Sequence, residues 1–179
     1  MYVANLAVEK MGEGGGLDKK GDLNSPQAKG DGTQVLFKQC NSGSESACAH
    51  LQAQSKADLE MAYNFIEDNF VEITDNVGGL TSQSRIDDIE FNHTTAYSNA
   101  RDGDTSTNLG KITLSSNYYS KADLVDSLAH ELLHSGEGYF GRAYTNLQDK
   151  YSSTGFGARH TEIYSKGAQA KALYLKLNP

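Results

Sequence analysis

The sequence predicts an α+β fold: a small mixed or antiparallel sheet packed on one central helix, with a second helix closing the chain. Three observations carry that expectation. Leu124, Val125, Leu128, Ala129, Leu132 and Leu133 recur at helical spacing. Residues 109–115 alternate Lys and Thr with Ile and Leu, as a strand does. The Ala- and Leu-rich run over 163–177 reads as a C-terminal helix. At 179 residues the chain is long enough for one domain with a real core.

Taken in order, residues 1–33 open with a short strand-like run at 2–8. They continue through a stretch rich in Gly, Lys and Asp that reads as a flexible leader or linker. The domain is then expected over 34–179. Residues 34–38 read as a strand. Cys40 and Cys48 follow, and their small polar spacer suits a disulfide or two free thiols equally. A helix is expected over 57–70, from Leu59, Met61, Ala62, Phe65 and Ile66, then an extended segment at 71–74 and a strand at 85–91. Asp102 and Asp104 lack the terminal acidic ligand of a calcium loop and read as a solvated turn. The edge of the 109–115 strand is a place where an extended peptide could add as one more strand. The Gly- and Tyr-rich residues 137–153 are expected to loop around the site.

The central helix starts at Ser120, an N-cap with Asp123 three residues on, and meets stop signals at Gly136 and Gly138. Inside it lies His130-Glu131-Leu132-Leu133-His134. Residues four apart share a helix face, so both imidazoles can reach one metal ion, with zinc the usual choice. Glu131, one step round, is too far to be an easy ligand. It is placed to take a proton from an activated water as general base. A catalytic zinc needs a third protein ligand. A histidine six residues after the second is ruled out, because that position is Phe140. Glu162, on the later helix, is the first choice and His160 the second, with Asp149 and His93 behind them. If one of Glu162 and His160 binds the ion, the other becomes its neighbour in the site. Tyr139, Tyr144 and Tyr164 are candidate donors to a developing oxyanion. Tyr164 is favoured because it shares a helix with Glu162.

The bulk numbers exclude other classes. A net charge of −7 argues against a nucleic-acid-binding surface and leaves neutral, basic or polypeptide substrates. No apolar run approaches the length of a membrane span, and no signal peptide is legible at the N-terminus.

With these residues in place, the stretch 111–177 resembles the zincin metallopeptidases. More narrowly it resembles the H-E-x-x-H peptidase domains at the C-terminal tips of bacterial polymorphic toxins, including Rhs-type toxins, and of some secreted effectors. Lys111-Ile112-Thr113-Leu114, the His130–His134 motif and the helix around Glu162 carry the likeness. It implies a zincin-like fold, a zinc cofactor and hydrolysis of peptide bonds in a polypeptide substrate. It also implies a larger toxin or delivery protein upstream, secretion or delivery into a target cell, and a cognate immunity or inhibitor protein. The alternatives are a zinc amidase acting on cell-wall peptide and a non-enzymatic interaction domain. The intact Glu131 counts against the latter.

Overall fold

The apolar residues of the central helix do fall on one side of it, and that side faces the core. The computed structural model describes residues 30–74, 82–93, 99–100 and 111–179. Among them the chain is mostly helical: α1 (Gln34–Asn41), α2 (Glu45–Asn69), α3 (Val71–Thr74), α4 (Ser82–Asp87), α5 (Lys121–Gly136), α6 (Gly138–Tyr151) and α7 (Ala158–Leu177). Helix α5 begins as predicted, with the Ser120 hydroxyl accepting the Asp123 amide at 3.2 Å. Its Leu124, Val125, Leu128, Ala129 and Leu132 are buried against Leu59, Ala62, Tyr63 and Ile66 of α2, with Ala170 of α7 in the same core. Leu133 is only half-buried at the edge of that core.

Strand β1 (Ile89–Asn92) pairs in parallel with β3 (Ile112–Ser115), Ile89 opposite Ile112 and Phe91 opposite Leu114. The two-residue β2 (Asn99–Ala100) pairs antiparallel on the other side of β3. The α+β class therefore holds, but the main pairing is parallel and a wholly antiparallel sheet is corrected. The order β1-β3-β2 also makes β3 the middle strand, with Ile112 and Thr113 paired on both sides. Over Ile112 and Thr113, at least, the edge expected for a peptide is already taken by β2. Ile112 and Leu114 are fully buried, so that face of β3 meets the core.

Other expectations are corrected too. Residues 34–38 form the start of α1, not a strand. Three consecutive apolar residues, Val35, Leu36 and Phe37, have no period that distinguishes the two. Helix α1 folds back on α2, and a Cys40–Cys48 disulfide joins them. Gly43, at φ +96°, makes the turn between. Helix α2 runs from Glu45, well before 57, with Ser44 capping it by accepting the Ala47 amide. Residues 71–74 are a helical turn rather than extended, and 85–91 divides between α4 and β1. Residues 137–153, expected as a loop, are mostly the helix α6. The C-terminal helix starts at Ala158, a turn and a half earlier than expected.

The packed part of the chain also includes residues ahead of Gln34. The Gly32 and Thr33 amides donate to the Tyr119 and Tyr118 carbonyls at 3.1 and 3.0 Å, and the buried Thr33 hydroxyl donates to the Ser116 carbonyl. The Tyr118 hydroxyl in turn donates to Asp58 at 2.7 Å. The expected leader up to residue 29 and the 102–108 turn lie outside the described residues. Helix α7 lies close against α5: a Cβ on Gly167 would sit 3.0 Å from the Asp126 carbonyl oxygen. No helix among the described residues is long and apolar enough to cross a membrane.

Candidate metal centre

Helix α5 sets His130 and His134 one turn apart, with ring centres separated by 4.7 Å. Helix α7 brings His160 to both, 5.4 Å from His130 and 4.8 Å from His134. One candidate ligand atom on each of the three lies within 4.8 Å of the others. The phase of α7 explains the choice. Ile163, Gly167 and Ala170 are its buried residues, so the positions in phase with them, His160 and Tyr164, turn toward α5. Glu162 falls on the other side. Its exposed carboxylate accepts from Arg159 at 2.9 Å, and it lies outside the histidine group. Of the two candidates for third ligand, the second choice, His160, joins the group and the first choice, Glu162, does not.

Two carboxylates orient the rings. Glu137 Oε2 lies 3.0 Å from His134 Nδ1, and Asp149 Oδ2 lies 2.7 Å from His160 Nδ1. Each bond assigns the proton to Nδ1 and leaves Nε2 as the ring's lone-pair nitrogen. For His134 that nitrogen is buried and has no hydrogen-bond partner. A buried acceptor left so is costly, and a cation shared with the other two imidazoles would satisfy it. The donor set, three imidazoles, suits zinc. The residues fit the ion.

The electrostatics favour the ligating form. Burial, reinforced by His134, His160 and Arg142 nearby, pushes the His130 imidazole down to about 3. Burial also lowers His134, against the opposing pull of Glu137. Both rings are therefore neutral at neutral pH, as metal ligation needs. Glu137 is the hub of the outer layer. Besides His134 it accepts from Thr145 Oγ1 at 2.7 Å and Arg159 Nε at 3.1 Å, with Arg142 Nη1 at 3.9 Å. Its burial would raise the carboxyl, but bonds from His134, Thr145 and Arg159 outweigh that and hold it at about 2. Asp149 is likewise held low, despite partial burial, by the Gly157 amide at 2.6 Å and by His160.

Glu131 is buried on α5 beside this group. The Tyr164 ring stacks on His160, 4.9 Å apart and 7° from parallel, and sits 4.5 Å from His130. Burial raises the Tyr164 hydroxyl, and the negative charges of Glu131, Asp149 and Asp126 raise it further. Phe156 stands edge-on to both His160 and Tyr164. The remaining candidates are elsewhere. Asp149 orients a histidine instead of joining the group, and His93 bonds the Ser116 hydroxyl at the end of β1. Tyr144 is exposed on the outside of α6, and the Tyr139 side chain is outside the described residues. Sequence reasoning missed Glu137, Thr145, Arg159 and Phe156. Only Glu137 left a signal, three residues after His134 where a helical neighbour reaches it.

The chain matches no family model, no curated protein and no solved structure.

Proposed function

We propose that this chain is a zinc-dependent peptidase whose ion is held by His130, His134 and His160. The observation that carries the reading is the meeting of three imidazoles from α5 and α7, with the buried Nε2 of His134 lacking any other partner. A bound zinc ion would supply Lewis-acid polarisation of a scissile carbonyl and acidify an attacking water. The chain's own residues do the rest. Glu131 accepts the proton of the attacking water and hands it to the leaving amine. Tyr164, kept protonated by burial and by neighbouring carboxylates, donates a hydrogen bond to the developing oxyanion. Glu137 and Asp149 hold two of the imidazoles in one tautomer and orientation.

The same reading makes the chain a zincin-like domain delivered into a target cell by a larger bacterial toxin or effector, with a polypeptide as substrate and an immunity protein as partner. The resemblance of residues 111–177 supports this. So does the Cys40–Cys48 disulfide, a bond that oxidising compartments favour. The test is metal content and cleavage of an unfolded protein substrate by the full chain. About one zinc per chain is expected. Glu131→Gln should keep the zinc and lose about 10²- to 10⁴-fold in turnover. His160→Ala should lose the ion, and Glu162→Ala should retain it. A wild-type chain without zinc after metal-replete purification, or a Glu131→Gln variant with full turnover, would sink the proposal.

A further inference from the structure

Helix α6 is amphipathic in the inverted direction. Its inward face is polar, with Thr145 bonding Glu137 and Asp149 bonding His160. Its large apolar residues face solvent: Phe140 is 85% exposed, Tyr144 60%, Leu147 53% and Tyr151 76%. Among the described residues, α6 gives no side chain to the apolar core. At 100° per residue, these four fall within an arc of roughly 60°. Their spacing of four, three and four is the a/d alternation of a narrow helix–helix seam, not the broad face that packs on a globular core.

The seam is also self-complementary. Because the spacing is symmetric, two copies packed antiparallel about an axis between 145 and 146 set Phe140 against the partner subunit's Tyr151. The same axis sets Tyr144 against the partner subunit's Leu147. The flanks are Ala143 and Lys150 on one side, Gly141 and Gln148 on the other. Antiparallel packing lays each long flanking residue over a small one, Lys150 over the partner subunit's Ala143 and Gln148 over the partner subunit's Gly141. A parallel pair would instead set the Lys150 flank of one copy against the Gln148 flank of the other, long side chain against long side chain. No flank is acidic, in a chain whose net charge of −7 disfavours self-association over most of its surface. Four such side chains present roughly 500 Å². Two copies would then bury roughly 1,000 Å², where specific interfaces begin.

We propose that α6 is the seam of a homodimer, two copies of this chain packing antiparallel through Phe140, Tyr144, Leu147 and Tyr151. This symmetric pairing is isologous and closed. It covers the outside of the helix whose inside holds Asp149 and Thr145, and it does not depend on the metal assignment.

Sedimentation velocity on the full chain, up to about 100 μM, tests it. The expected species has twice the 19.4 kDa mass of the chain. Leu147→Glu and Tyr144→Glu, both at exposed positions, should each weaken the dimer at least about 100-fold by placing a charge in the seam. Their circular dichroism should remain that of the wild type. Orientation is read by mixing Tyr144→Cys with Leu147→Cys chains, which should form the mixed disulfide in preference to either symmetric one. A monomer at all concentrations would overturn the proposal, as would a dimer that survives both charged variants. Cross-linking of Tyr144→Cys chains mainly to themselves would overturn the antiparallel seam.

Discussion

Helices α5 and α6 follow one another in the chain and are held to the molecule by opposite means. Helix α5 turns Leu124, Val125, Leu128 and Leu132 into the core and carries His130 and His134 on its remaining surface. Helix α6 turns Thr145 and Asp149 inward and leaves its apolar stripe in solvent. The first is fixed by burial, the second by hydrogen bonds that end on the carboxylates behind two candidate ligands. The difference teaches where damage should be read. Breaking α5 should cost global stability. Breaking the α6 attachments should cost metal affinity first, because those bonds position His134 and His160 more than they hold the core.

The largest break is Leu128→Ala. Its side chain is fully buried at the centre of the core, and truncation there costs about 2–5 kcal/mol in transfer and cavity terms. Urea denaturation of the metal-free protein measures it. A loss well under 1 kcal/mol would mean the core is not organised on α5. Next comes Gly167→Ala, which tests the α5–α7 contact. The added Cβ would meet Asp126 Oδ1 at 2.4 Å and the Asp126 carbonyl oxygen at 3.0 Å. The carboxylate can swing away, but the carbonyl is backbone of α5. Overpacking of about 1–3 kcal/mol is expected. Because α7 carries His160, metal affinity should fall with stability in this variant.

Glu137→Gln separates the two regions. It keeps the shape of the hub and removes the charge that accepts from His134, Thr145 and Arg159. Zinc should bind about 10- to 100-fold more weakly, as for other lost carboxylate partners of ligating histidines. The denaturation midpoint of the metal-free protein should move far less than in Leu128→Ala. Chelator competition reads the first quantity and urea the second. A collapse of metal-free stability would make Glu137 a structural residue and erase the contrast.

The same contrast explains what was legible in the sequence. Helix α5 was readable because its cap, its apolar period and its H-E-x-x-H spacing all agree. Helix α6 was not, because Gly138 and Gly141 suggested a loop and its periodic apolar residues mark no core face. Residues 34–38 were hidden for another reason: their apolar run has no period, and the packing of α1 on α2 is a tertiary fact. The parallel pairing of β1 with β3 is equally non-local. The third member of the histidine group sat within two residues of the first choice. Either His160 or Glu162 can ligate zinc, and the phase of α7 parts them. That phase was present in Ile163, Gly167 and Ala170, a buried stripe in register with His160.

The smallest expected effect sharpens the comparison most. Leu147→Ala in α6 is the same substitution as Leu128→Ala in α5, on a leucine 53% exposed instead of fully buried. In dilute solution, where the chain is monomeric, it should change stability by less than about 0.5 kcal/mol, as surface substitutions do. Alanine also has the better helix propensity, which offsets part of any lost contact. At high concentration the same variant should lose part of the association that the outward stripe provides. Urea midpoints at two protein concentrations separate these cases. A loss of several kcal/mol at the low concentration would place Leu147 in the monomer's own packing. Helix α6 would then be held by burial after all, and the two helices would differ only in degree.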